Sequence, residues 1–70
     1  MSHVWVPVKV VKTTASAVLV DDERGHQVWL PRSQINDWTT DHGQNLNDEA
    51  EGKDIELEVA EWIAIKEGLV

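Results

Sequence analysis

Alternating hydrophobic and polar positions predict four β-strands in this chain. The most regular is VWVPVKVV at residues 4–11, where valines occupy every even position and so share one face. Residues 15–20 and 27–30 follow as the second and third strands of an antiparallel meander, and DIELEV at residues 54–59 is the fourth. Pro7 cannot donate a ladder hydrogen bond, which places the first strand at an edge of the sheet.

The rest of the chain is predicted to form one long loop and one helix. The block PRSQI after the third strand is expected to form a helical turn, and residues 36–53 a polar, acidic loop. Residues 60–70, AEWIAIKEGLV, form a short C-terminal helix, with Gly68 where helices often end in a left-handed residue. The predicted order is β-β-β-loop-β-α.

These elements predict a single domain over residues 1–70 that is mainly β with one C-terminal α-helix. The fold is a small antiparallel four-stranded sheet or a partly open barrel, of SH3-like or OB-like kind. Trp5 and Trp29 are out of phase with the valines beside them, so a closed barrel buries them and an open sheet leaves them on an outer face. Closure is preferred, with Trp29 as a packing residue, since a chain this short needs buried aromatic area.

Tryptophan and charge both change this picture. The chain has four tryptophans and no Phe, Tyr or Cys, so the tryptophans are expected mainly in the core, with Trp62 packed there and Trp38 anchoring the loop. Residues 1–35 carry four basic and three acidic side chains, a net charge of +1, whereas residues 36–70 carry two and ten, a net charge of −8. The total of −7 argues against general binding to duplex nucleic acid.

No catalytic or metal-binding pattern is present in the sequence. The three histidines are scattered, and no Ser, His and acid fall in a nucleophile motif. The Asn and Glu side chains of residues 45–51 do not match a calcium loop, so neither a metal nor another cofactor is predicted. No apolar run is long enough to cross a bilayer, and the first residues lack a signal-peptide pattern. A non-enzymatic, cytoplasmic protein with no membrane partner is therefore expected.

Two blocks of the sequence form a distinctive combination. VWLPRSQI at residues 28–35 follows the strand AVLV, and EWIAIKEGLV ends the chain at residues 61–70. They resemble a family of small phage- and prophage-encoded proteins of uncharacterised activity, which often carry Pro where this chain has Ala60 before the helix. The resemblance covers about half of the chain. It implies a phage or prophage origin, and because members can lie near replication and recombination genes, it suggests a connection with nucleic-acid metabolism.

Two kinds of partner follow from the charges and the aromatic residues. The acidic second half is expected to attract a basic protein surface, with a tryptophan as an anchor. Its candidate contact residues are Trp38, Asp37, Asp41, Asp48, Glu49 and Glu51, with Glu56 and Glu58 of the fourth strand extending the acidic footprint.

The alternative partner is a single-stranded nucleic acid, whose bases would stack on tryptophan while Lys and Arg contact the phosphates. The candidate residues for it are Trp5, Lys9, Lys12, Trp29 and Arg32. A third interpretation is a purely structural protein, or one that self-associates through an edge strand.

Overall fold

The chain folds into one five-stranded antiparallel sheet and a short helix. The computed structural model describes residues 2–40, 43 and 45–70. The strands and helix are β1 (His3–Thr13), β2 (Ala17–Asp21), β3 (Gln27–Pro31), β4 (Ile35–Thr39), β5 (Asp54–Ala60) and α1 (Glu61–Lys66). Turns of 3₁₀ helix at Arg32–Gln34 and Asp48–Ala50 precede β4 and β5. The predicted class, mainly β with a C-terminal helix, is confirmed.

The strands lie in the order β3-β2-β1-β5-β4, so β1 is the central strand. The C-terminal half of β1 pairs with β2 and its N-terminal half with β5, and the two pairings meet at Lys9. The predicted edge position of this strand is therefore wrong. Pro7 is tolerated because this part of β1 is paired with β5 alone. On the side of β1 away from β5 there is no neighbouring strand, so a proline nitrogen turned to that side removes no ladder hydrogen bond.

The fifth strand, β4, falls inside the segment predicted as a loop. Its sequence INDWT does not alternate, and its register shifts between Ile35 and Asp37, as at a β-bulge. Pairing of Ile35 with Val59 and of Trp38 with Leu57 holds it against β5. The prediction of four strands is wrong by this one strand, because the backbone partner that makes it a strand lies far away in the sequence.

One apolar core lies on the inner face of the sheet, beneath α1. The even-numbered valines predicted to share a face of β1 are buried in it from Val6 to Val10. Every buried residue of the described chain is apolar, and none is polar or charged. The largest fully buried side chains are Leu30, Leu57, Val6, Val10, Val18, Val20 and Val59.

The sheet is open. Its edge strands β3 and β4 are joined by the turn Arg32–Gln34 but are not paired with each other. The preferred closed barrel is therefore not what these strands form. An open sheet leaves one face of β3 and of β1 turned away from the core, which decides where the tryptophans lie.

The helix α1 is tied to the sheet at both ends. The indole N–H of Trp62 donates to the side-chain oxygen of Gln34 at 3.2 Å, and the Arg24 guanidinium donates to the carbonyl of Gly68. Gly68 has a φ of 72°, and the amide of Leu69 donates back to the last helical turn at 2.8 Å. The predicted left-handed end of the helix is confirmed.

Candidate binding surfaces

All four tryptophans lie at the surface. Trp5, Trp29, Trp38 and Trp62 are 44%, 49%, 37% and 50% exposed. The expectation that most of them belong to the core is wrong, and so is the packing role preferred for Trp29. Valine and leucine fill the inner face, and the out-of-phase positions on β1 and β3 turn outward because the sheet stays open. Exposed aromatic side chains are enriched at contact sites, so the outer surface is where binding is to be sought.

Trp29 lies in a row with a leucine and a lysine on the outer face of the β1–β2–β3 meander. It pairs with Leu19 on β2, and Leu19 pairs with Lys12 on β1. Opposite residues of antiparallel strands share a face, so these three side chains form one cross-strand row. The next cross-strand row on the same outer face ends on β1 at Lys9. This outer face therefore combines an aromatic ring, apolar surface and cations.

Four of the five predicted nucleic-acid contacts lie on this side of the molecule. Those that share the outer face are Lys9, Lys12 and Trp29. Arg32 follows the end of β3, where its Nε–H donates to the carbonyl of Thr14 at 2.8 Å. Trp5 lies elsewhere, next to Glu58 of β5. It precedes Lys12 by seven residues on β1, and the rise per residue of a strand makes this a distance of about 20 Å.

The outer surface of β5 and β4 is acidic. Trp5 of β1 faces Glu58, which in turn faces Asp37 on the edge strand β4. Along β5, Glu56 and Asp54 continue the acidic row. The central strand β1 therefore separates a half whose outer face carries cations from a half whose outer face carries carboxylates.

A groove of about 580 Å³ lies where these halves meet. Lys9 faces Asp21, the last residue of β2, on one side and Asp54, the first residue of β5, on the other. Two acidic strand ends thus come together across one lysine. The carboxylates that line the groove are Asp21, Asp22, Glu23, Asp54 and Glu56. Pro7, Val8 and Ile55 supply its apolar surface, and Lys9 is the basic residue among its described lining residues.

Asp22 is occupied in holding the β2–β3 turn. Its Oδ1 accepts the backbone N–H groups of His26 at 2.9 Å and Arg24 at 2.8 Å, and the Arg24 guanidinium lies 3.1 Å from Oδ2. The His26 hydrogen bond is the largest cause that lowers the pKa of Asp22 below its ordinary value, and Arg24 adds to it against a smaller opposing effect of burial. The other groove carboxylates take part in no ion pair within the described part of the chain.

Two polar atoms of the groove residues are sealed from solvent without a partner. They are Oδ1 of Asp21 and Oγ1 of Thr40, and neither has a hydrogen bond to the described residues. A buried polar atom left in this way costs about 1–3 kcal/mol.

Known proteins give no match to this chain. No protein-family model, no curated protein and no solved structure matches it. Over residues 2–40, 43 and 45–70, no helix is long and apolar enough to cross a membrane, and no group of three or more His, Cys, Asp or Glu side chains is placed to hold a metal ion. Function is therefore inferred from the chemistry of the protein surface.

The predicted acidic contacts are spread over several elements. Those on β4 are Asp37 and Trp38, and those on the 3₁₀ turn before β5 are Asp48 and Glu49. Glu51 accepts the backbone N–H of Thr13 at 2.8 Å and its hydroxyl at 3.1 Å, so it holds the end of β1. Asp41 lies outside the described residues. The structure therefore does not gather these residues into one loop.

Sequence reasoning missed the groove itself. It identifies DDERG only as a turn and does not single out the start of DIELEV, so Asp21, Glu23 and Asp54 are not among the predicted contacts, although Glu56 is. The available signal was the concentration of acids at two strand ends. What no local pattern shows is that the end of β2 and the start of β5 flank the same residue of β1.

Proposed function

We propose that this is a non-enzymatic interaction protein that binds a basic segment of a partner protein in its acidic groove. The observation that carries the proposal is the meeting of two acidic strand ends at Lys9, which faces Asp21 and Asp54. Five carboxylates line the groove against that one lysine among its described residues. An excess of this kind attracts Lys and Arg side chains and orients them on approach.

The apolar lining supports a peptide rather than a bare cation. Pro7, Val8 and Ile55 line the groove beside the carboxylates. Lys and Arg side chains bury their methylene stems along such surface while the charged ends reach polar groups. The volume of about 580 Å³ is in the usual range of roughly 300–1,000 Å³ for ligand pockets, which accommodates a few side chains of an extended segment.

The edge strands favour this groove over self-association through the sheet. β3 ends in Pro31, and β4 carries a register shift between Ile35 and Asp37. Proline, bulges and short edge strands all oppose the addition of another strand. We therefore expect a monomer, and measuring its mass in solution by light scattering checks this point.

The remaining parts of the proposal come from the sequence. The cysteine-free composition favours the reducing environment of the cytoplasm. The resemblance to phage- and prophage-encoded proteins suggests that the partner is a phage or host protein.

The binding test uses a fluorescent octapeptide of alternating lysine and arginine, titrated with the whole protein at low salt. Replacing two groove acids, in the variant Asp54→Asn with Glu56→Gln, should weaken binding about 2- to 30-fold, because exposed ion pairs contribute ~0.2–1 kcal/mol each. Lys9→Gln should strengthen binding, because it removes the cation that competes with the peptide for Asp21 and Asp54.

The matched control is Asp48→Asn with Glu49→Gln, which changes the net charge equally on the exposed 3₁₀ turn. It should leave the affinity nearly unchanged. An equal loss in both double variants would show that only net charge matters and would refute the groove. A peptide that fails to bind the unchanged protein would refute the proposal as a whole.

A further inference from the structure

The outer face of the β1–β2–β3 meander has a chemistry of its own. Trp29 is 49% exposed, and beside it lie Leu19 in the same row and the exposed Pro31 two residues further along β3. An aromatic ring on an apolar platform offers a base-stacking surface.

Two cations flank this platform. Lys12 ends the row of Trp29, two strands away and so about 10 Å across the sheet, and Arg32 follows Trp29 by three residues, about 10 Å along the chain. The guanidinium of Arg32 has five N–H donors, and its Nε–H bond to Thr14 uses one of them. Cations on two sides of an exposed ring match the alternation of bases and phosphates in a single strand.

Lys9 does not belong to this set. Its neighbours on the adjacent strands are Asp21 and Asp54, and it lines the acidic groove. The structure thus divides the predicted nucleic-acid contacts: Trp29, Lys12 and Arg32 remain together, Lys9 faces carboxylates, and Trp5 lies on the acidic half.

We propose that this face binds a short single strand of nucleic acid, with a base stacked on Trp29 and phosphates held by Lys12 and Arg32. The site is separate from the groove and does not depend on it. The negative net charge of the chain keeps long-range attraction low, so binding should depend mainly on stacking and on two local phosphate contacts.

The salt dependence of binding measures those contacts. For single strands the slope of log K against log salt is about −0.7 per phosphate contact, so two contacts predict a slope of about −1.4. The probe is a fluorescein-labelled oligothymidylate of about eight nucleotides, within the usual site size of ~4–16. Its anisotropy is followed while the whole protein is added at several salt concentrations.

Two matched pairs of variants test the assignment. Trp29→Ala should lower the affinity roughly 5- to 150-fold, whereas Trp5→Ala, which removes a ring of similar exposure, should change it little. Lys12→Gln should make the slope shallower by about 0.7, whereas Lys9→Gln removes the same charge and should leave it nearly unchanged.

Several results would overturn the proposal. One is the absence of saturable binding at low salt, and another is an equal loss in the two tryptophan variants. Displacement of the oligonucleotide by oligoglutamate at the same charge concentration would show a general anion site without base stacking. None of these outcomes affects the basic-peptide titration, because the groove variants at Asp54 and Glu56 leave this face intact.

Discussion

Replacing Leu30 and Trp29 separately by alanine tests where the core ends. These neighbours on β3 have opposite environments, since Leu30 is 0% exposed and Trp29 is 49% exposed. Leu30→Ala removes a fully buried side chain and leaves a cavity, which costs about 2–5 kcal/mol. A domain of 70 residues has a free energy of unfolding of about 4–10 kcal/mol at the usual value per residue, so this variant should lose roughly a fifth of its stability or more.

Trp29→Ala should cost less although the side chain is larger. A fully buried tryptophan covers roughly 150–250 Å², and about half of that area is buried here, or roughly 75–125 Å². At ~25 cal/mol per Å² this corresponds to about 2–3 kcal/mol. The unfolded chain already buries part of this area and alanine retains the Cβ contacts, so the expected cost is about 1–2 kcal/mol.

Thermal unfolding followed by far-UV circular dichroism measures both variants without relying on tryptophan fluorescence. In a domain of this size a loss of 1 kcal/mol lowers Tm by about 4–8 °C. Trp29→Ala should therefore lower Tm by roughly 4–16 °C and Leu30→Ala by roughly 8–40 °C. If Trp29→Ala proved as destabilising as Leu30→Ala, the ring would have to be packed in a closed barrel, and the open sheet would be refuted.

Two further predictions concern the helix contact and the β2–β3 turn. Trp62→Phe keeps a ring but removes the N–H that reaches Gln34 at 3.2 Å, and it should cost about 0.5–1.5 kcal/mol in urea denaturation. The same change in a Gln34→Ala background should cost less, and strictly additive costs would show that this hydrogen bond does not stabilise the helix. The pKa of Asp22 is lowered in the folded protein, so its carboxylate stabilises the fold above the ordinary pKa of about 4, and this stabilisation is lost as the pH falls through the lowered value. As the pH is lowered from the ordinary pKa to the lowered one, the urea midpoint of the unchanged protein should fall more steeply than that of Asp22→Asn, and parallel curves would contradict the role of this carboxylate.

Local patterns in the sequence determined the elements whose causes are local. Alternation located β1, β2, β3 and β5 and the inner valines of β1, because a strand that is buried on one face has a period of two. The position of Gly68 predicted the end of α1, because a left-handed residue there costs glycine little. The same alternation showed that Trp5 and Trp29 are out of phase with the core.

Pairing between distant strands decided the rest. β4 is a strand because Ile35 and Trp38 meet β5, and β1 is central because β5 returns to pair with its first half. Whether Trp29 is packed or exposed depended on closure, which the alternation along one strand does not determine. The same holds for the candidate site: the acids of two strand ends were visible in the sequence, but only the register of β2 and β5 on β1 brings them together at Lys9. Burial periodicity arises within one strand, whereas a binding surface is built from residues whose neighbours are set by the order of strands in the sheet.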